Sequence, residues 1–172
     1  MPFSRSCSDP RCSAAHHDGD LASWLAREDA RTEEVIEQYG WMVQAVFGSG
    51  PRRPDLAYTV GLTGLGHPEL VVFGLPVETA HPLLNDLGER VRSGETLAAG
   101  TELSFGAWPH RVHLLSAPHP DRVLFQATRT YGRPVPALQA VWDDRSGRFP
   151  WQPGYCVPRW LQPLPDSASW RA

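Results

Sequence analysis

Residues 55–76 read DLAYTVGLTGLGHPELVVFGLP, and the reading of this stretch decides the fold. Two runs with strand character, residues 56–62 and 69–75, flank a loop that carries Gly61, Gly64 and Gly66. The second run is almost continuously apolar, which suits a central strand buried on both faces. The pattern is strand, glycine-rich loop, strand. It delivers polar side chains where the loop meets the sheet, and loops on a rigid scaffold are where functional groups concentrate.

Working outward, residues 41–47 alternate as a strand does. The turn-rich GSGPRRPD that follows predicts a hairpin with 56–62. Pro76 sits where the first residue of a helix would, and Ala80, Leu83, Leu84, Leu87 and Val91 follow at helical spacing, with Gly94 as the stop. Residues 112–115 form a strand candidate. Residues 121–131 read as a helix with Leu124, Phe125 and Thr128 inward, and 137–142 as a last strand before the turn cluster 143–147. Asp20 is expected to N-cap a first helix reaching Tyr39, with Gly40 after it. Its partial apolar stripe is Leu21, Trp24, Leu25, Glu28, Val35, Ile36 and Tyr39, broken by a charged middle. Hairpins mixed with separate helices predict an α+β fold: one compact domain, a mainly antiparallel sheet and about three helices. The expected division is an irregular N-terminal arm over 1–19, the domain over 20–165 and a short tail over 166–172. The Pro- and Trp-rich segment from Gly154 is expected to pack over the domain.

Composition excludes more than it selects. All 16 basic residues are arginine. A chain without lysine forms no Schiff base with pyridoxal phosphate and supplies neither the P-loop lysine nor the strand lysine of a protein kinase. A formal charge of −3 with interspersed signs leaves no footprint for nucleic acid. No apolar run approaches the ~18 residues of a membrane span. The N-terminal MPFSRSCSDPRC has no apolar leader core, so the expectation is a cytoplasmic protein with reduced thiols.

Two blocks carry a family resemblance. The first is Trp41 with Ala57-Tyr58-Thr59-Val60-Gly61-Leu62, Pro68-Glu69-Leu70 and Gly74-Leu75-Pro76. The second is Ala137-Leu138-Gln139, Val141-Trp142-Asp143 and Gly147-Arg148-Phe149-Pro150-Trp151. In this order, over roughly residues 21–163, the chain resembles the uncharacterised bacterial family called domain of unknown function 4262. The resemblance implies a single compact domain and brings no established activity.

His67-Pro68-Glu69 is the first candidate site. If 67 and 69 are extended, both side chains leave one face, because strand side chains alternate with period two. An imidazole and a carboxylate there would make an acid–base pair. The plainer alternative is a loop-ending histidine and a carboxylate that accepts a structural hydrogen bond. Tyr58 and Thr59 on the neighbouring strand add hydroxyls, and Asp143 follows the last strand. Arg148 can clamp an anion bidentately, and Trp151 can wall a pocket. The plainer reading of this second block is a capped turn with aromatics pinning the tail. Gly61, Gly64 and Gly66 spell G-x-x-G-x-G, not the dinucleotide fingerprint, and are expected to permit a tight turn or positive φ.

Cys7, Cys12, His16 and His17 have the residue types of a zinc site but poor spacing, and are expected to be dispensable for folding. His110 and His113 fit no metal motif and read as ordinary surface or core histidines. Cys156 has no feature marking a lowered pKa. No cofactor is expected. Two functions stand side by side. One is a small enzyme, within a biosynthetic pathway, using non-covalent acid–base chemistry on a small, anionic substrate: His67 and Glu69 transfer protons, Tyr58 and Asp143 orient, Arg148 holds charge. The other is a non-catalytic binding or assembly module whose aromatic surface packs a protein partner.

Overall fold

Residues 10–165 are described by the structure, a computed structural model, with side chains from Asp20 onward. Helix α1 (Pro10–Tyr39) leads into strand β1 (Met42–Val46), which turns back as β2 (Leu56–Val60). A short 3-10 turn (Leu62–Leu65) precedes β3 (Glu69–Phe73), and α2 (Val77–Arg92) follows. Then come β4 (Glu102–Ser104), β5 (Arg111–Ser116), a second 3-10 turn (Pro120–Arg122), α3 (Phe125–Tyr131) and β6 (Ala137–Trp142). The strands form one sheet in the order β1-β2-β3-β6-β5-β4. Every neighbouring pair is antiparallel except β3 and β6. This is the expected α+β domain.

The sheet is covered on both faces, and the period-two alternation of its strands sorts the core. Ala57, Leu70, Val72, Leu138, Ala140 and Trp142 pack with Leu83, Leu84 and Leu87 of α2. Tyr58, Val60, Val71, Phe73 and Ala137 face the other way, against Leu124 and Ala127 at α3 and Ile36 of α1. Each buried aliphatic side chain contributes about 1.5–3 kcal/mol. The central strands β3 and β6 are buried at every position, as the continuous apolar run predicts.

Four local expectations need correction. The first helix begins at Pro10, so residues 10–19 are not an irregular arm and Asp20 is not an N-cap. Proline suits a first helical turn, and Gly19 costs only about 1 kcal/mol inside one. The expected stripe on α1 is nowhere fully buried: Leu25, Glu28, Val35 and Ile36 are half-buried, while Leu21, Trp24 and Tyr39 are 56%, 51% and 56% exposed. The predicted helix over 121–131 is split, and because α3 starts at Phe125 its phase turns Ala127 inward and Phe125 out to 62% exposure. Pro76 is the N-cap of α2 rather than its first residue. Strand β4, only three residues long, was not foreseen. The tail does pack over the domain, with the buried Gln162 amide bonding both main-chain groups of Trp142. Cys7 lies outside the described residues, as do the side chains of Cys12, His16 and His17. Among the described residues no helix is long and apolar enough to cross a membrane.

Candidate functional site

Glu69 opens β3 and is fully buried. A carboxylate in such a place needs donors, because burying an uncompensated charge is costly. It has five. Thr59 Oγ1 donates at 2.7 Å and Thr63 Oγ1 at 2.8 Å, and the N–H groups of Gly61, Leu62 and Thr63 donate at 3.0, 3.3 and 2.9 Å. Those three amides are the start of the 3-10 turn, whose free N–H groups favour an anion. Gly61 makes the approach possible, since its φ is 132° and an added Cβ would lie 2.6 Å from the Gly40 carbonyl oxygen. Thr59 also accepts the Leu70 N–H at 2.8 Å, so the hydroxyl is spent as well. Glu69 therefore ties the glycine loop to the sheet.

His67 does not share a strand face with Glu69, because β3 begins only at Glu69. Its Nδ1 stands 2.7 Å from the Pro68 carbonyl oxygen and its Nε2 2.9 Å from that of Leu97. Both nitrogens face main-chain acceptors, so neither is left to serve a substrate. No hydrogen bond joins His67 to Glu69, and the expected proton-transfer pair is not formed. Tyr58 is buried too; its hydroxyl accepts the Gln126 N–H at the start of α3, and burial pushes it above its ordinary pKa.

Asp143 lies at the opposite end of the sheet. Glu69 sits beside Ala137 in the parallel β3–β6 register. Asp143 is six residues further along, about 20 Å at strand rise. Its partners come from the start of β5 and the residue before it: Asp143 Oδ1 is 3.2 Å from His110 Nδ1 and accepts the Arg111 N–H at 3.0 Å, and Oδ2 accepts Arg111 Nε at 3.0 Å. The histidine that meets the aspartate is thus His110, not His67. His110 is flanked by the rings of Trp108 and Trp142, at centroid distances of 4.9 and 6.0 Å. Arg111 bridges further, to Glu102 Oε1 at 2.6 Å and to the Gly147 carbonyl, with its guanidinium 5.1 Å from the centre of the Phe149 ring. The Asp143 hydrogen bond comes first among the causes that raise the Arg111 pKa.

Next to it, Asp144 staples the turn. Burial alone would raise its pKa; the N–H donors of Arg148, Cys156 and Ser146 outweigh that and hold it at about 2. Arg148 donates to the Gly154 carbonyl at 2.9 Å, which latches the tail. Trp151, 44% exposed, stacks on Phe149 at 5.0 Å with the planes 5° apart. Asp143, Arg148 and Trp151 share one end of the molecule, whereas His67, Glu69 and Thr59 share the other.

One hollow belongs to neither end. A groove of about 720 Å³ runs along the free edge of β1. Met42, Val43, Gln44 and Ala45 form its floor, α1 contributes Arg31, Val35 and Tyr39, and α2 contributes His81, Asn85 and Arg92. Trp41 anchors it: the indole N–H donates to Asn85 at 3.0 Å, Asn85 Nδ2 stands 3.1 Å from His81 Nδ1, and the Arg92 guanidinium lies 5.2 Å from the Trp41 ring centre. Gly88 lets the indole sit flush on α2, where an added Cβ would come within 2.5 Å of it. Sequence reasoning did not single out this groove. Its one legible signal was that His81, Asn85, Glu89 and Arg92 recur at helical spacing opposite the apolar face of α2.

Fold and groove together define an α+β domain with a strand-edge cleft between two helices. The family model described as Domain of unknown function (DUF4262) matches residues 35–156, more than two thirds of the chain, and the protein belongs to that family. The match spans β1 to the tail latch and leaves out most of α1. Comparison with curated proteins and with solved structures found no match for the chain.

Proposed function

We propose that the protein is a binding module that receives an extended segment of a partner polypeptide along the free edge of β1, and that it works in the cytoplasm. One observation carries the reading: the edge of a five-residue strand, unpaired among the described residues, floors a groove walled by helices on both sides. An unpaired edge offers a row of N–H and C=O groups to an incoming strand, and proteins normally blunt such edges with charge, proline or shortness. The opposite edge is blunted, as β4 has three residues and begins with Glu102. Strand β1, MVQAV, carries no charge and no proline. A second copy fits less well than a lone strand, because its own β1 is recessed between the same two helices.

The test is selection of binding peptides from a displayed random library, followed by amide hydrogen exchange. Bound peptides should slow exchange at those amides of residues 42–46 that point away from β2, and Arg31→Glu in the groove wall should weaken them. Binders that leave these amides unprotected, or a library that yields none, would refute the reading.

The acid–base enzyme is a second reading, and what favours it is the His110–Asp143 contact, which leaves Nε2 of a partly exposed imidazole open. Turnover of any ester, amide or sugar substrate that His110→Gln abolishes, with folding intact, would establish it.

A further inference from the structure

A second, smaller cleft of about 340 Å³ lies between the N-terminal half of α2 and the loop after β4. Glu78, Pro82 and Asp86 line it from one face of the helix, and Phe105 and Trp108 from the loop. The two rings meet edge to face, with centroids 5.9 Å apart and planes at 64°. Both rings are half-buried and rest on the α2 side of the core, so the corner they make is held in place.

Two aromatic walls at a steep angle present converging π faces, which attract a cation. The Phe105 ring already attracts one cation of the protein itself: the Arg90 guanidinium, which is not part of the cleft lining, lies 5.3 Å from its centre. Arg90 also neutralises Asp86, which accepts its Nε at 2.7 Å. Glu78 has no basic partner among the described residues, so the cleft keeps a net negative charge and repels anions. The side-chain acceptors here are the Glu78 carboxylate and the Thr79 hydroxyl at one end and Asp86, already engaged by Arg90, at the other. A primary ammonium would lose water without enough acceptors in return. A methylated ammonium has fewer N–H groups to satisfy, or none, and is bound by ring faces and by charge at a distance.

We propose that this cleft binds a small organic cation of the methylated or quaternary ammonium class, seated in the Phe105–Trp108 corner and facing Glu78. The volume lies at the lower end of the range for ligand sites, about 300–1,000 Å³, and suits a headgroup rather than a large molecule.

Titrating the full chain with choline, and separately with its uncharged isostere 3,3-dimethyl-1-butanol, tests the proposal by tryptophan fluorescence and by NMR shifts of the Phe105–Trp108 loop. Choline should bind saturably, and the isostere about tenfold more weakly or not at all. Trp108→Ala should weaken choline about tenfold. Glu78→Gln, on the exposed side of α2 and without risk to folding, should weaken it several-fold and leave the isostere unchanged. Equal binding of the two probes would make the cleft merely apolar and overturn the proposal. So would the absence of saturable choline binding, or choline binding that Glu78→Gln leaves unaltered.

Discussion

Two buried carboxylates at opposite ends of the sheet solve the same problem differently. Glu69 is met entirely by neutral donors, all within ten residues of it in sequence. Asp143 is met by a cation and an imidazole from a strand more than thirty residues upstream. The first arrangement closes a loop on itself, and every lone pair it offers is used locally. The second joins separate strands and leaves part of its histidine partner open to solvent. Polar residues crowded into a short glycine-rich stretch were therefore a signature of local stapling. The end of the molecule with room for chemistry draws its groups from distant segments.

Removing the Glu69 carboxylate breaks that comparison most directly. Glu69→Ala strands buried hydroxyl and amide donors, and the expected loss is roughly 3–5 kcal/mol in chemical denaturation. A loss under about 1 kcal/mol would mean that water reaches the donors. Gly61→Ala attacks the same end through the backbone. The φ of 132° and the contact with Gly40 and Trp41 predict a cost of about 2–4 kcal/mol, read as a lower urea midpoint with the slope unchanged.

His67→Gln discriminates a structural histidine from a catalytic one. The contacts that the ring makes with the Pro68 and Leu97 carbonyls are lost, so a cost of about 1–3 kcal/mol is expected, with peptide binding at the β1 groove retained. An unchanged melting temperature would contradict the structural role. At the other end Asp143→Asn should cost less, about 1–2 kcal/mol, because the Arg111 side chain it holds is 38% exposed and solvent screens the pair. The sharper readout there is the His110 ring, whose NMR resonances should move when its contact with the Asp143 carboxylate is lost.

The smallest effect is a dependence on acid. The Asp144 carboxyl sits at about 2 in the folded protein against an ordinary 3.8, a depressed value. Its contribution to stability is therefore fully present above pH 4 and is lost as the pH falls toward 2. Stability curves of the wild type and of Asp144→Asn should converge over that window, and curves that stay parallel would assign the acid sensitivity elsewhere.

The candidate residues at the two ends were legible to different degrees. Thr59 and Glu69 could be paired from sequence because they lie on adjacent strands of one short stretch. Their role is not legible there, since spacing tells which side chains are neighbours but not how many donors already surround them. Asp143 was singled out for following a strand, and that placement holds. His110 belongs to no local motif, and its partner is supplied by the register that sets Val112 beside Trp142.

Alternation of apolar residues, glycine and proline punctuation and helical spacing were sufficient for the sequence to determine the element types, the α+β class, the buried central strand and the tail that packs over it. These signals are local: they report which face of an element is buried and where the chain must turn. Which strands lie side by side is a property of the whole core, decided by how α2 covers one face of the sheet while α1 and α3 cover the other. Only that packing set β3 parallel to β6, sent Glu69 and Asp143 to opposite ends, brought His110 and Arg111 to the aspartate, and left the edge of β1 open between two helices. Side-chain period and turn chemistry act over a few residues, whereas strand order follows from burying all the apolar faces at once.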